Sequence, residues 1–327
     1  MTRIARAIVT GGAGFIGSHI VDELARRGVE TLVIDDFSTG SRENLRHHLG
    51  SELVKVHPGD IRGIAELLRG AGDVDVVFHE AAIASVPISV EDPMRVHDTN
   101  VNATLDVLNF CLSAKVRRVV FASSAAVYGV IDGIPASEDL LCHPSSPYGA
   151  SKLAVEDYLS AYYKTYGLET VALRYFNVYG PRQASNDGYS GVITTFANRI
   201  LSGSTPTIFG DGGQTRDFVS VRDIVQANML AGDSPAAAGQ SFNVASGRSV
   251  SIIELLECMG SIAGSPNIAP VFAPTRPGDV RSGSASIAKI MTALGYKPSV
   301  PLREGLSALL EHIRGSPDVV VKAPRRP

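Results

Sequence analysis

Thr10-Gly11-Gly12-Ala13-Gly14-Phe15-Ile16-Gly17 joins an apolar run to a segment in which Ile16, Ile20 and Leu24 recur at four-residue intervals. The run reads as a strand over 4–10 and the periodic segment as a helix over 15–27, with Gly28 suited to its C-terminal stop. The glycine spacing is Gly-x-Gly-x-x-Gly from Gly12 and Gly-x-x-Gly-x-x-Gly from Gly11. Glycine permits the tight turn, lets backbone approach a pyrophosphate, and lets the helix pack close to the strand. The helix start offers N–H groups and a partial positive charge to phosphate. Such a turn alone is also an ordinary strand-to-helix loop. With strand and helix on either side, it reads as a dinucleotide cradle in which Gly11, Gly14, Phe15, Ile16 and Gly17 approach the cofactor.

Outward from this turn, apolar strands are expected at 30–35, 53–57, 75–79, 116–123 and 170–175. Helical patterns separate them at 62–70, 93–114 and 148–166. Near-continuous apolar strands alternating with helices predict a buried parallel sheet covered on both faces, a doubly wound α/β fold of the Rossmann type. Asp35 ends the second strand, eighteen residues after Gly17. A carboxylate there accepts hydrogen bonds from ribose hydroxyls and repels a 2′-phosphate. Asp36 follows it with no adjoining arginine, so NAD is favoured over NADP. Asp60 and Ile61, after the third strand, suit the adenine; Asp60 equally suits a helix N-cap.

The rhythm changes after Tyr175. Short strands are expected at 206–209 and 217–221, and helices at 191–202, 222–231, 251–263, 285–294 and 302–314. Residues 1–175 read as the dinucleotide domain, with part of 216–246 returning to it, and 176–315 as a smaller mixed α/β substrate lobe. The tail 316–327 reads as disordered.

Composition narrows the function. The net charge of -3 argues against nucleic acid as partner. Cys111, Cys142 and Cys258 have neither metal-ligand spacing nor a disulfide pattern, and no metal is expected. No run approaches the ~20 apolar residues of a membrane span, and no cleavable leader is seen, so a cytoplasmic protein is expected.

Tyr148-Gly149-Ala150-Ser151-Lys152 places a phenol and an ammonium four residues apart, on one helix face. A tyrosine with a pKa near ~10 is a poor base at neutral pH, and a neighbouring positive charge lowers that value. The pair can shuttle a proton to and from an alcohol. A surface tyrosine and lysine on an amphipathic helix is the plainer alternative.

Several motifs in order give the pair its context: the Gly-rich turn, His79-Glu80-Ala81-Ala82, Asn100, and Ser123-Ser124-Ala125-Ala126-Val127-Tyr128-Gly129. Then come Tyr148 with Lys152, Arg174-Tyr175-Phe176-Asn177-Val178-Tyr179-Gly180-Pro181, Arg216-Asp217-Phe218 and Arg276-Pro277-Gly278-Asp279. From about residue 4 to 314 the chain resembles the extended short-chain dehydrogenase/reductase family, in particular its NAD-dependent nucleotide-sugar 4-epimerases of the UDP-glucose type.

The resemblance implies roles. Tyr148 would be the acid/base on the sugar 4-hydroxyl, Lys152 would hold the nicotinamide ribose and lower the tyrosine pKa, and Ser124 would bond the same sugar oxygen. Ser123, Ala81, Ala82, Asn100 and Tyr175 would line the cofactor. Ser85, Asn177, Arg216, Arg276 and Asp279 would contact the UDP-sugar. Val192, Ile193 and Phe209 suit a uridine pocket and equally suit a core. The implied reaction inverts C4 through a transient 4-keto sugar, and the implied assembly is a homodimer built on helices 93–114 and 148–166, whose apolar faces could equally cover the sheet. Related 4,6-dehydratases carry an Asp-Glu pair, and decarboxylases a Glu, where this chain has Ala125 and Ala126. An alanine supplies no acid/base chemistry, so epimerisation is favoured. Gly283, seven positions after Arg276, stands where relatives carry a bulky residue near the sugar C2. It implies room for UDP-GlcNAc beside UDP-glucose, with UDP-glucuronate as the alternative substrate. Ala84 departs from relatives that place a lysine near the cofactor.

Overall fold

The computed structural model describes residues 4–70, 72–131, 133–183, 191–275, 281 and 283–315. The expected disordered tail, Arg276 and Asp279 lie outside the described residues.

The strands are β1 (Arg6–Thr10), β2 (Glu30–Asp35), β3 (Val54–Pro58), β4 (Val76–His79), β5 (Arg118–Ser124), β6 (Glu169–Tyr175), β7 (Asn177–Tyr179), β8 (Thr207–Phe209), β9 (Thr215–Ser220), β10 (Gln240–Val244), β11 (Ser249–Ser251) and β12 (Val271–Ala273). The helices are α1 (Phe15–Arg26), α2 (Ile64–Leu67), α3 (Val86–Glu91), α4 (Pro93–His97), α5 (Ala103–Ser113), α6 (Pro147–Tyr166), α7 (Val192–Leu201), α8 (Val221–Asp233), α9 (Ile252–Ala263), α10 (Ala288–Leu294) and α11 (Leu302–Gly315).

Seven strands form one sheet in the order β3-β2-β1-β4-β5-β6-β10, and the paired strands are parallel throughout. The order reverses between β1 and β4, where open sheets of this kind bind ligands at the carboxyl ends of their strands. Side-chain alternation builds a core on each face. Ala7 and Val9 of β1 join Ile20 and Leu24 of α1 and Ile224 of α8. Ile8 joins Val107 and Cys111 of α5 and Val155 and Leu159 of α6. This is the doubly wound sheet that the apolar runs predict. A third core packs Phe196 of α7, Leu255 and Met259 of α9 and Leu309 of α11 under β9 and β8. Beside it lie a mixed sheet, β11-β9-β7, and a parallel pair, β12-β8.

Two elements differ from expectation. The helix expected over 93–114 is interrupted by a π turn at Asp98–Asn102. Asn100 causes a local diversion: its side chain bonds Ile83 and Ser151, and its carbonyl accepts from Thr104 Oγ1 at 2.6 Å. The helix expected over 62–70 shortens to a 3-10 turn, Ile61–Gly63, and α2. Glycines at 63 and 70 flank the few apolar residues that could anchor it.

Candidate active site

At the end of β1, Gly11 has φ 65°, and a Cβ on it would sit 2.8 Å from the Ala81 nitrogen. A Cβ on Gly17 would strike the Gly11 carbonyl oxygen. Turn, helix and the Glu80–Ala81 backbone are therefore packed too closely for side chains at these two positions. Helix α1 starts at Phe15 after Gly14, with no side chain capping it. Ile16 packs on the core beside it. Asp35, buried at the end of β2, accepts hydrogen bonds from the Ala13 and Phe37 amides at 2.9 and 2.8 Å. Burial raises its pKa. Asp36 accepts from the Ser38 amide and hydroxyl. Arg42 stacks 4.3 Å over the Phe37 ring, so an arginine does lie near this turn; the preference for an unphosphorylated ribose rests on the Asp35 carboxylate. A side-chain-free cradle at an uncapped helix start, with a carboxylate at the next strand end, fits a dinucleotide.

Other sequence candidates on this side are committed to the framework. Asp60 caps the 3-10 turn at Ile61–Gly63 and pairs with Arg62 at 2.5 Å, a bond that holds its carboxyl below the usual range. Ile61 is buried. Ser123 donates its hydroxyl to Glu156 Oε1 at 2.5 Å. The Asn100 carboxamide bridges the 83 loop to Ser151 of α6. Ser85 caps α3 through the Ile88 amide. These hydroxyl and amide groups position the loops lining the cleft.

The three residues singled out for chemistry come together. Ser146 caps α6, Pro147 starts it, and Tyr148 and Lys152 follow one turn apart. Ser124 ends β5, in register with Tyr175 on β6, and its side chain lies beside the Tyr148 phenol. The Lys152 ammonium, only 3 % exposed, donates to the Ala122 carbonyl at 2.7 Å and lies 5.9 Å from the centre of the Tyr148 ring. The expected lowering of the tyrosine pKa by Lys152 does not hold in this state. Burial raises the Tyr148 phenol, the Ser124 side chain opposes that rise, and the Glu80 carboxylate adds to it. Burial also lowers Lys152 to about 8. Ala125 and Ala126 form the first turn after Ser124 and bring no ionisable group.

His79 and Glu80 belong to the motif that follows β4, which by itself assigns them no role. His79 is buried between the hydroxyls of Thr10 and Thr104, and burial drives its pKa down to about 3, so it is neutral. Glu80 accepts from the Tyr175 hydroxyl at 2.9 Å, and burial raises its pKa to about 7. Tyr175 thus faces Glu80 and, through Asn228 of α8, the sheet's far layer.

A cavity of about 260 Å³ opens between β9 and α7. Asn177, Val192, Phe209 and Arg216 line it, as expected of a nucleotide pocket, together with Thr195 and Gln214, which the sequence reading missed. Isolated threonines and glutamines carry no spacing signal. Ile193, also expected there, is 3 % exposed and belongs to the core under α7. A Cβ on Gly283 would lie 3.3 Å from Arg216 Cδ and 3.2 Å from the Thr215 oxygen, so the position abuts the arginine of the cavity wall.

The family model described as NAD dependent epimerase/dehydratase matches residues 7–245. The chain is 40% identical over 315 residues to a UDP-glucose 4-epimerase of Mycolicibacterium smegmatis, covering 94% of this chain and 98% of that protein. Among solved structures it is similar to a UDP-N-acetylglucosamine 4-epimerase from Methanobrevibacter ruminantium in complex with UDP-N-acetylmuramic acid, with TM-score 0.90 and 38% identity, covering 96% and 99% of the two chains. It is also similar to a UDP-glucose 4-epimerase from Thermus thermophilus in complex with NAD, with TM-score 0.85 and 40% identity, covering 95% and 99%. With the glycine cradle, the Ser124–Tyr148–Lys152 cluster and these matches along most of its length, the chain belongs to the NAD dependent epimerase/dehydratase family.

Proposed function

We propose that the protein is a UDP-sugar 4-epimerase, interconverting UDP-glucose with UDP-galactose and UDP-GlcNAc with UDP-GalNAc. The observation that carries the reading is the meeting of Ser124, Tyr148 and Lys152 at the carboxyl edge of a dinucleotide-binding sheet, with only alanine side chains at 125 and 126. NAD, when bound, accepts and returns the C4 hydride. We assign Tyr148 to take the O4 proton and give it back. Its raised pKa means that it holds its proton in the resting protein; a positive charge arriving beside it shifts it toward the phenolate. Ser124, beside the phenol, is assigned to relay that proton. Lys152 is assigned to the cofactor ribose, and Asp35 to the adenosine ribose.

Asn177 and Arg216 would hold the diphosphate, and Val192 and Phe209 the uracil, so that the 4-keto sugar can turn about a fixed anchor. Arg276, Asp279 and Ser85 complete the proposed UDP-sugar set. In this division residues 1–175 with part of 216–246 hold NAD, and the remainder of 176–315 holds the sugar nucleotide. A homodimer is part of the same reading, supported by the exposed Tyr158 and Tyr166 on α6. So is a cytoplasmic location, which three unpaired thiols suit. Among the described residues, no helix is long and apolar enough to cross a membrane.

The test is incubation of the purified protein with UDP-glucose, UDP-GlcNAc and UDP-glucuronate separately, with C4 configuration read by NMR. The first two are expected to interconvert with their C4 epimers, and Tyr148→Phe to abolish it. Turnover of UDP-glucuronate alone would replace this substrate assignment, and full activity in Tyr148→Phe would remove Tyr148 as the base.

A further inference from the structure

Away from the cleft, three side chains from two segments converge. Asp22 lies on the outer side of α1, and His47 and His48 end a 3-10 turn, Arg42–His48, after β2. The His47 and His48 Nε2 atoms lie 2.7 and 2.8 Å from the same Asp22 oxygen, Oδ1. All three candidate ligand atoms fall within 4.8 Å of one another. The imidazole centroids lie 4.1 Å apart with their planes at 44°. The side chain of His48 is 11% exposed, that of Asp22 29% and that of His47 49%, so the cluster is anchored on one side and open to water on the other. Arg182 occupies the second carboxylate oxygen, donating to Oδ2 at 2.8 Å.

We propose that Asp22 Oδ1, His47 Nε2 and His48 Nε2 bind a divalent transition metal of the zinc, nickel and copper class, with water completing its coordination. Two imidazoles and one carboxylate suit these ions; calcium and magnesium prefer an all-oxygen shell. Zinc binds such ligands at about 2.0–2.2 Å, so tetrahedral neighbours stand roughly 3.3 Å apart. The present separations of 2.7 and 2.8 Å need open by only about half an ångström. Metal binding requires each imidazole to present an unprotonated Nε2, with its proton on Nδ1. Two hydrogen bonds are then exchanged for three coordinate bonds.

The arrangement also reads as a carboxylate held by two histidines, and Arg182 counts against a cation. With three protein ligands and the Arg182 charge beside them, binding is expected to be weaker than at a four-ligand structural zinc site. A metal here would act on the adenosine end of the cleft from behind. The same 3-10 turn reaches Ala13 of the glycine-rich loop through Ser41 and Asn44, at 3.0 and 2.8 Å. Clamping it to α1 stiffens that wall.

The experiment is calorimetric titration of tag-free protein with Zn²⁺, paired with the absorption spectrum of the Co²⁺ form. One saturable site per chain is expected, with cobalt d–d bands and no thiolate charge-transfer band. Zn²⁺ should raise the unfolding temperature. The His47→Ala/His48→Ala variant should bind at least thirtyfold more weakly and lose that rise, while unfolding without metal near the parent temperature. Equal binding by the variant, a thiolate band pointing to Cys142 or Cys258, or no saturable binding would each overturn the proposal.

Discussion

Tyr175 donates its hydroxyl to Glu80 Oε1 at 2.9 Å, linking the ends of β6 and β4 across β5, the strand that carries Ser124. Asn228 of α8 donates to the same tyrosine oxygen at 2.7 Å. Burial raises Glu80 from 4.5 to about 7, and its charge in turn favours the ammonium of Lys152. An acid raised on folding keeps its proton in the folded state after the unfolded chain has released it. The stabilisation is complete below pH 4.5 and is lost as pH rises through about 7. Glu80→Gln should remove this loss. Between about pH 5 and pH 8, the unfolding free energy of the parent should fall against that of the variant by on the order of 2–3 kcal/mol. Urea titrations across that window give the difference, and parallel profiles would show that Glu80 does not titrate there.

Glu156 lies one turn beyond Lys152 on α6 and forms a buried ion pair with Arg174 at 2.6 Å. Ser123 donates to the same carboxylate, and Arg174 also donates to the Tyr128 hydroxyl at 2.9 Å. Glu156→Leu leaves a guanidinium uncompensated in the interior and should cost about 3–5 kcal/mol. The double variant Glu156→Leu/Arg174→Met removes both charges. It should be more stable than Glu156→Leu, since the lost pair also lifts its desolvation cost. Denaturant unfolding of the two variants checks this. A double variant no more stable than Glu156→Leu would assign the loss to packing around Tyr128.

Much of the sheet was legible because β1, β2 and β5 are apolar runs between turn residues, a pattern that buried parallel strands impose. Tyr148 and Lys152 were legible because four-residue spacing is local. β10 carries no strand pattern in the sequence, although part of 216–246 is expected to return to the first domain. Its sequence, Gln240-Ser-Phe-Asn-Val244, mixes polar and apolar residues. Asn243 is wholly buried, and the Tyr128 hydroxyl and the carbonyls of Ala136 and Ser286 satisfy its side chain. A buried polar residue whose partners lie far away in the chain carries no periodic signal. The same limit hid Glu80, whose partner lies at 175, itself held by Asn228. It also hid the π turn at Asn100, which depends on contacts with Ile83 and Ser151.

Gly17 tests the cofactor cradle independently of turnover. A Cβ there strikes the Gly11 carbonyl oxygen, which is backbone and has little freedom to yield. Gly17→Ala should push α1 from the turn and weaken NAD binding at least ~10-fold, which is about 1.4 kcal/mol. Fluorescence titration with NADH reads the affinity, and far-ultraviolet circular dichroism reads the fold. Unchanged affinity with an intact fold would place the dinucleotide away from this turn.

Gly283 separates two ways in which one position can affect substrate choice. If a side chain there only narrowed the space at the sugar C2, Gly283→Tyr would exclude UDP-GlcNAc and spare UDP-glucose. The geometry argues for a second effect. The Gly283 amide donates to the Thr215 oxygen at 3.0 Å, and a Cβ would meet Arg216 Cδ at 3.3 Å. A tyrosine must therefore displace Arg216 from the wall it shares with Asn177 and Phe209. Arg216 is proposed to hold the diphosphate common to both substrates, so KM should rise for both, roughly tenfold, with kcat changing less. Steady-state kinetics on the two UDP-sugars make the distinction. A KM for UDP-glucose that stays at the parent value, with UDP-GlcNAc excluded, would show that the side chain fills the sugar pocket and leaves Arg216 in place.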